Sequence, residues 1–391
     1  MISEPQPSVV LGDGVRFPFS RGVLTKSLTA SGLPLEEAYS FACDIQKEVA
    51  GREGAQCMKE ELIAMVLLRL RESFGEEIAK EYSRLRGGSR HLVVEGTGTS
   101  MPFSKGLLTF SIQASGVAAE TAFEIARLVE SGFKAERKTL VTRDKIRERT
   151  AHFLSTTSGE KFARYYLMWR HLKDEATPVI VLIGGGTGTG KSTMAGELGR
   201  FLGFRRASST DSIRHIMGTL FSDQFVPSIH ESSYTAYKSL STPLPASVDP
   251  VVFAFQEQAV KICVGVRAMI ERAVREGVST VIDGVHLVPG CLKIGQFDRS
   301  AIVSWIMCKV SDEASHRARF SSREAGAKNR LARRYLENFD SIRRIQNYVL
   351  SLAEKNGIRT VENDNFDKAV KEAIAVVSDD VMRQCGFEAK R

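Results

Sequence analysis

Eight residues restrict the possible folds of this chain more than any others. Residues 185–192 read Gly-Gly-Thr-Gly-Thr-Gly-Lys-Ser and directly follow the apolar run Pro-Val-Ile-Val-Leu-Ile at 178–183. A short apolar run of this kind suits a buried strand, and the Ser-Thr-Met-Ala-Gly-Glu-Leu at 192–198 suits a helix. A strand passing through a GxxxxGKS turn into a helix is a phosphate-binding loop. Its glycines let backbone N–H groups wrap around phosphate oxygens, and the helix beginning near Lys191 points its positive end at the same charge. Gly185, Gly186, Thr187, Gly188, Thr189, Gly190, Lys191, Ser192 and Thr193 are therefore the candidate ATP contacts. Lys191 would neutralise β/γ-phosphate charge, and the Ser192 hydroxyl would ligate Mg²⁺. A glycine-rich turn that binds nothing is the alternative, and the flanking strand and helix argue against it.

At 391 residues the chain is expected to hold two or three domains, and 43% hydrophobic residues suffice for real cores. Cys43, Cys57, Cys263, Cys291, Cys308 and Cys385 form no CxxC pair and show no metal-type spacing. With no charged-then-apolar leader, they read as reduced thiols of a cytoplasmic protein. No apolar stretch approaches the ~20 residues that span a bilayer. The net charge of +8 is concentrated: nine Lys/Arg against three acids between Arg317 and Arg344 supply +6 of it. Beside a phosphate-binding loop this suits an anion-closing lid better than a nucleic-acid surface, where charge spreads along a stripe interleaved with aromatics. A solvated helix face is the plainer reading of the same charges.

From residue 178 onward, short apolar runs alternate with helical stretches, as in an α/β domain with a mainly parallel sheet. Expected strands are 179–183, 204–208, 279–282, 301–310 and 358–361. Ligands of such sheets gather at the carboxyl ends of strands, so polar residues just after strands are the ones to examine. Asp211, in Ser-Ser-Thr-Asp-Ser-Ile-Arg (208–214), is the candidate base on the acceptor side, or else an ordinary helix N-cap. Asp283 ends the apolar run Val281-Ile282 and is the second candidate Mg²⁺-supporting residue. His286 either touches substrate or, as is commoner for a lone histidine, is structural. Arg317, Arg319, Arg323, Arg330, Arg333 and Arg334 are candidates to close over the transferring phosphoryl group, with Arg319 and Arg323 taken as catalytic. Residues 360–368 are where adenine would be met. Arg214, His215, His230, Tyr234, Tyr237 and Lys238 are expected to shape the acceptor pocket.

The first half carries a repeat. Residues 18–32 recur at 102–116, displaced by 84 positions, and 13 of the 25 residues from Pro18 to Ala42 are identical in the second copy. Each copy opens with a short β-type segment (8–11; 91–94) and continues with helical periodicity, so residues 1–88, 89–174 and 175–391 are expected to be two related small domains and a larger one. The pattern Val9-Val-Leu-Gly-Asp-Gly14 and Pro18-Phe-Ser-Arg21 resembles the ATP-cone family, which implies a small, mostly helical regulatory module for adenine nucleotides. By position, Arg16, Arg21 and Lys26 are the phosphate contacts the resemblance implies. The second copy departs from it, with Thr97 for Asp13, Ser100 for Arg16 and Phe110 for Lys26, leaving Lys105 as its main cation. Modules kept for packing or dimerisation are the alternative.

The order of these motifs, with Asp-Gly-Val-His-Leu-Val-Pro-Gly (283–290) and His-Arg-Ala-Arg-Phe (316–320) after the loop, is similar to the 2-phosphoglycerate kinase family. The resemblance implies ATP- and Mg²⁺-dependent phosphorylation of 2-phosphoglycerate at its 3-hydroxyl, giving 2,3-bisphosphoglycerate and ADP. Two features depart from the family pattern: the doubled cone, and Asp283 where Glu is expected. A kinase of another phosphorylated metabolite, such as an inositol phosphate, and a nucleotide-sensing regulator are the competing readings. A homo-oligomer is compatible with either. A kinase half without residues 1–174 is expected to keep basal activity.

Overall fold

The computed structural model describes residues 7–10, 16–87, 92–95, 100–136, 138–175, 177–292, 294–297, 300–321 and 329–387. They form two compact units, residues 1–93 with 136–140, and residues 94–135 with 141–391.

The first unit contains β1 (Ser8–Val10), β2 (Arg16–Pro18), α1 (Arg21–Ala30), α2 (Leu35–Ala50), β3 (Gln56–Met58), α3 (Lys59–Phe74) and α4 (Glu76–Gly87). Its small sheet has the order β2-β1-β3, antiparallel on one side of β1 and parallel on the other. Leu24, Leu28, Ala38, Phe41, Ala42, Ile45, Leu62, Val66 and Leu70 are buried in one core, as their helical spacing requires.

The same succession follows once more: β4 (Val93–Glu95), β5 (Ser100–Pro102), α5 (Lys105–Gln113), α6 (Ala119–Ala135), β6 (Leu140–Thr142), α7 (Arg143–Thr157) and α8 (Glu160–Glu175), with sheet order β5-β4-β6. The repetition extends to individual hydrogen bonds. Ser20 Oγ caps α1 by accepting from the Val23 N–H, and Ser104 Oγ caps α5 by accepting from the Leu107 N–H. Ser31 and Ser115 each donate to the carbonyl three residues back at the helix end.

The remaining elements are β7 (Val179–Gly184), α9 (Lys191–Leu202), β8 (Arg206–Ser209), α10 (Thr210–Leu220), α11 (Pro227–His230), α12 (Pro250–Arg275), β9 (Thr280–Asp283), β10 (Ile302–Lys309), α13 (Glu313–Ser321), α14 (Asn329–Glu337), α15 (Phe339–Lys355), β11 (Arg359–Glu362) and α16 (Phe366–Cys385). All five expected strands form, within two residues of their expected starts. They pair in parallel in the order β11-β10-β7-β9-β8. β7 is central and buried along its whole length, which explains its unbroken apolar run. Ile180 and Leu182 face one core, shared with α12 and α15. Val179, Val181 and Ile183 face the other, shared with α9 and α16. This second core also takes Met168, Trp169 and Leu172 from α8. Trp169 Nε1 donates to Ser378 Oγ, and the Tyr165 hydroxyl donates to Asp379, so the end of the second repeat is packed into the sheet's own core.

No helix among the described residues is long and apolar enough to cross a membrane. All six cysteines are free thiols.

Candidate active site

β7 ends at Gly184, and the loop to α9 bends tightly enough to need left-handed backbone at Gly188 and Gly190, with φ of +82° and +89°. A side chain at Gly188 would run into the Phe320 ring, and one at Gly190 into the Asn363 amide, so the loop is closed in by neighbours as well as bent. Lys191 is buried at the first turn of α9 and lies back across the loop, its Nζ donating to the Gly186 carbonyl at 2.6 Å. Thr189 Oγ1 donates to the same carbonyl at 3.0 Å.

The loop's outward carbonyls are held from behind. The Thr189 carbonyl accepts from Arg319 at 3.2 Å, from Asn363 Nδ2 at 2.8 Å and from Cys308 Sγ at 3.1 Å. A trans peptide directs its N–H opposite to its C=O, so three donors on the Thr189 oxygen aim the Gly190 N–H into the loop. His316 Nε2 lies 2.8 Å from the Thr187 carbonyl and orients the Gly188 N–H in the same way. His316 is fully buried, and burial holds its pKa below the usual imidazole value, so the neutral ring donates from Nε2 while Nδ1 faces Arg343 at 3.5 Å. Neither His316 nor Cys308 is marked by its neighbours in the sequence as a contact of the loop. The available signal was spacing: His316 and Arg319 lie three apart on α13 and so share a face.

β9 neighbours β7, which brings Asp283 to the loop although 91 residues separate it from Ser192. Ser192 Oγ donates to Asp283 Oδ2 at 2.5 Å. Asp283 is buried, which raises its pKa, while the Ser192 hydrogen bond and nearby Lys191 work the other way. A hydroxyl and a carboxylate side by side are hard oxygen donors of the kind that hold Mg²⁺ with phosphate and water completing its shell. The residues therefore fit that ion. No cluster of three or more His, Cys, Asp or Glu side chains able to hold a metal by themselves exists among the described residues.

Asp211 lies in the first turn of α10, just past the neighbouring strand β8. It is not the cap of that helix: Ser209 Oγ accepts the Ser212 N–H, leaving Asp211 exposed, 3.6 Å from Arg214 Nε. Its charge is felt by both Asp283 and His286. His286 belongs to the core rather than to a substrate surface. It is fully buried, with Nδ1 2.9 Å from Thr210 Oγ1 and Nε2 2.9 Å from Gln258 Oε1. Gln258 spends its amide protons on the Ser228 and Glu231 carbonyls, so its oxygen accepts from His286 Nε2–H and His286 Nδ1 accepts from Thr210. Burial lowers the His286 pKa to about 4. This neutral chain ties the start of α10 to α12 and to residues 228–231, and Arg214 donates to the Ile229 and Glu231 carbonyls on the same segment. Tyr234 is buried there, and His215, His230 and Lys238 are exposed.

Among the described residues the arginine side chains do not converge on one point. Arg319 supports the loop through the Thr189 and Asn363 carbonyls. Arg317 stacks on Phe339 at 4.2 Å, Arg333 pairs with Glu337, and Arg334 reaches Glu231 and the Tyr234 ring. Arg323 lies outside the described residues, as do the side chain of Arg330 and, in the first repeat, that of Arg16. Arg21 contacts Tyr39 and Cys43, and Lys26 is exposed; in the second copy Lys105 is paired with Glu130 at 2.9 Å.

The chain is similar to proteins named 2-phosphoglycerate kinase. That of Methanothermobacter thermautotrophicus is 38% identical over 272 residues, 69% of this chain and 88% of that protein. That of Methanopyrus kandleri is 33% identical over 314 residues, 80% of this chain and 94% of the relative. That of Pyrococcus horikoshii is 34% identical over 293 residues, 75% and 94% of the two chains. A match of 314 residues is longer than the stretch from 175 to 391, so it reaches into the repeated half. No protein-family model matches the chain.

Proposed function

Because the chain belongs to the 2-phosphoglycerate kinase family and is thus an ATP-dependent small-molecule kinase, we propose that it phosphorylates 2-phosphoglycerate at its 3-hydroxyl, releasing 2,3-bisphosphoglycerate and ADP. The observation that carries this reading is the contact of Ser192 with Asp283 beside Lys191, at the carboxyl ends of adjacent parallel strands. Backbone N–H groups of residues 186–193 hold the triphosphate, and Lys191 moves from the Gly186 carbonyl onto β/γ-phosphate oxygens. Ser192 and Asp283 would hold Mg²⁺, which would supply charge neutralisation for the transferring group. Asp211, exposed at the mouth of α10, accepts the proton of the attacking 3-hydroxyl. The acceptor already carries a phosphate and a carboxylate, which suits the cations of α10 and α14. The residues toward 175–391 act as the kinase domain of a cytoplasmic enzyme, and residues 1–88 and 89–174 as two cone-like modules that sense adenine nucleotide.

The test is ADP release by purified protein with ATP and Mg²⁺ against 2-phosphoglycerate, 3-phosphoglycerate, glycerate and inositol phosphates. Turnover with 2-phosphoglycerate and identification of 2,3-bisphosphoglycerate are expected. Turnover with only another acceptor would move the substrate assignment and leave the ATP site standing.

A further inference from the structure

Six large apolar side chains of the larger unit face water beside one helix contact. Ile216 and Leu220 lie on α10, Phe221 and Phe225 on the chain that leaves it, and Val260 and Val264 on α12. Leu220 is 74% exposed, Phe225 85% and Val264 63%. α10 and α12 touch where Ile213 is buried so close to Gly265 that a side chain at 265 would run into its Cγ2. Ile216 and Leu220 stand three and seven residues after Ile213, and Val264 directly precedes Gly265 with Val260 one turn earlier, so both exposed pairs border that contact. Exposed apolar residues scattered singly are ordinary, but a group is not. At these exposures the six leave roughly 700 Å² of apolar surface in water, above the ~300–600 Å² of the largest patch on a typical monomer and near the ~800 Å² each partner gives to a stable interface.

The outer face of α12 complements itself. Its exposed stripe runs Glu257, Val260, Val264, Arg267 and Glu271, at steps of three and four residues. Turned end for end about a two-fold axis at residue 262, the stripe sets Val260 against Val264 of a second copy and Glu257 against Arg267 of a second copy, each contact occurring twice. Arg267 has no ion pair among the described residues, and Glu257 has only a 3.7 Å contact with Lys261, one turn along the same helix. An axis at residue 264 would instead oppose Glu257 to Glu271, and the repulsion of two acids selects the first register.

We propose that α10 and α12 form the interface of a two-fold homodimer, in which the α12 helices of two copies lie antiparallel and Ile216, Leu220, Phe221 and Phe225 close over the sides of the pair. A closed two-fold contact needs one surface that matches itself, and the stripe on α12 does so in both its apolar and its charged positions. The same helix α10 that meets the second copy near Leu220 carries Asp211 in its first turn, so the interface and the candidate acceptor side stand at opposite ends of one short helix.

Sedimentation velocity of the full-length protein over a range of concentrations reads the assembly. A species of two chains is expected, with no growth beyond it. Val264→Asp and Phe225→Ser, at exposed positions whose side chains add nothing to the core, should each raise the dissociation constant about tenfold or more, with circular dichroism unchanged. Glu257→Arg and Arg267→Glu should each weaken the dimer too. The Glu257→Arg/Arg267→Glu double variant should recover most of that loss, because the exchange restores both ion pairs between copies, whereas damage to the helix itself would accumulate. A monomer at every concentration would hand the patch to another occupant and overturn the proposal. So would a dimer indifferent to Val264→Asp and Phe225→Ser, or a double variant as weak as its two single changes combined.

Discussion

Replacement of His286 should alter how stability depends on pH, by an amount the structure sets. The ring is fully buried and neutral, donating to Gln258 and accepting from Thr210, with its pKa lowered from 6.5 to about 4 by burial. Asp211 opposes this shift; Arg214 and Lys191 add to it. In the unfolded chain the ring takes up a proton near pH 6.5, whereas the folded protein does so only near pH 4. Between those values the unfolded state binds more protons, so acidification favours unfolding. His286's contribution is complete above pH 6.5 and is lost as pH falls toward 4. At 1.36 kcal/mol per pH unit the loss is about 3 kcal/mol. His286→Leu leaves the Thr210 hydroxyl and the Gln258 oxygen unpaired, costing about 2–5 kcal/mol at neutral pH. That deficit should shrink by about 3 kcal/mol at pH 4, while His286→Gln, which can donate and accept, starts with a smaller one. Urea unfolding followed by Trp fluorescence reports the larger unit alone, because Trp169 and Trp305 both lie in it. Stability curves of wild type and both variants that stay parallel between pH 7 and 4 would refute the reasoning.

Other substitutions test the site. Lys191→Ala should lower kcat by at least 10²-fold through lost stabilisation of phosphate charge, with circular dichroism confirming the fold. Asp211→Asn should reduce kcat by about 10²-fold or more and leave the KM for ATP nearly unchanged, since it stands on the acceptor side; an equal loss in both would place it with the nucleotide. Removal of residues 1–88 takes nothing from the two cores flanking the five-stranded sheet, and that truncation should purify folded and active with an altered nucleotide response. Removal of residues 1–174 strips Met168, Trp169 and Leu172 from one of those cores, a loss of roughly 5 kcal/mol or more of apolar burial. A basally active kinase is therefore not expected from that longer truncation; size-exclusion chromatography should show aggregation.

The strand–loop–helix around Lys191 was legible because each of its parts is local. An apolar run marks β7, glycines mark the bend, and the helix follows directly. The other four strands were legible for the same reason, with errors of only one or two residues at their ends. The repeat was legible as identity at a constant displacement, and it persists down to the capping serines Ser20 and Ser104. Side-chain roles were less so. Asp211 has the composition of a cap, yet Ser209 two residues earlier takes that place once β8 delivers the chain to α10. For His286 the sequence left substrate contact and a structural role both open, the latter the commoner, and the turn after β9 decides for the structural one by sending it into the core toward Gln258.

The sequence alone thus marked the five strands of the larger sheet, the glycine-rich bend before α9 and a small module that occurs twice, but not the short strands β2, β3, β5 and β6. These depend on backbone period, glycine content and burial, which are written within a few neighbouring residues. Strand order decided the rest. Placing β9 and β10 on either side of β7 sets Asp283 against Ser192 and Cys308 against Thr189, while α13 and the end of β11 add Arg319 and Asn363 to the same carbonyl. Packing likewise put α8 into the sheet's core. Such contacts join residues many tens of positions apart, and their energies exist only after the chain has closed those distances.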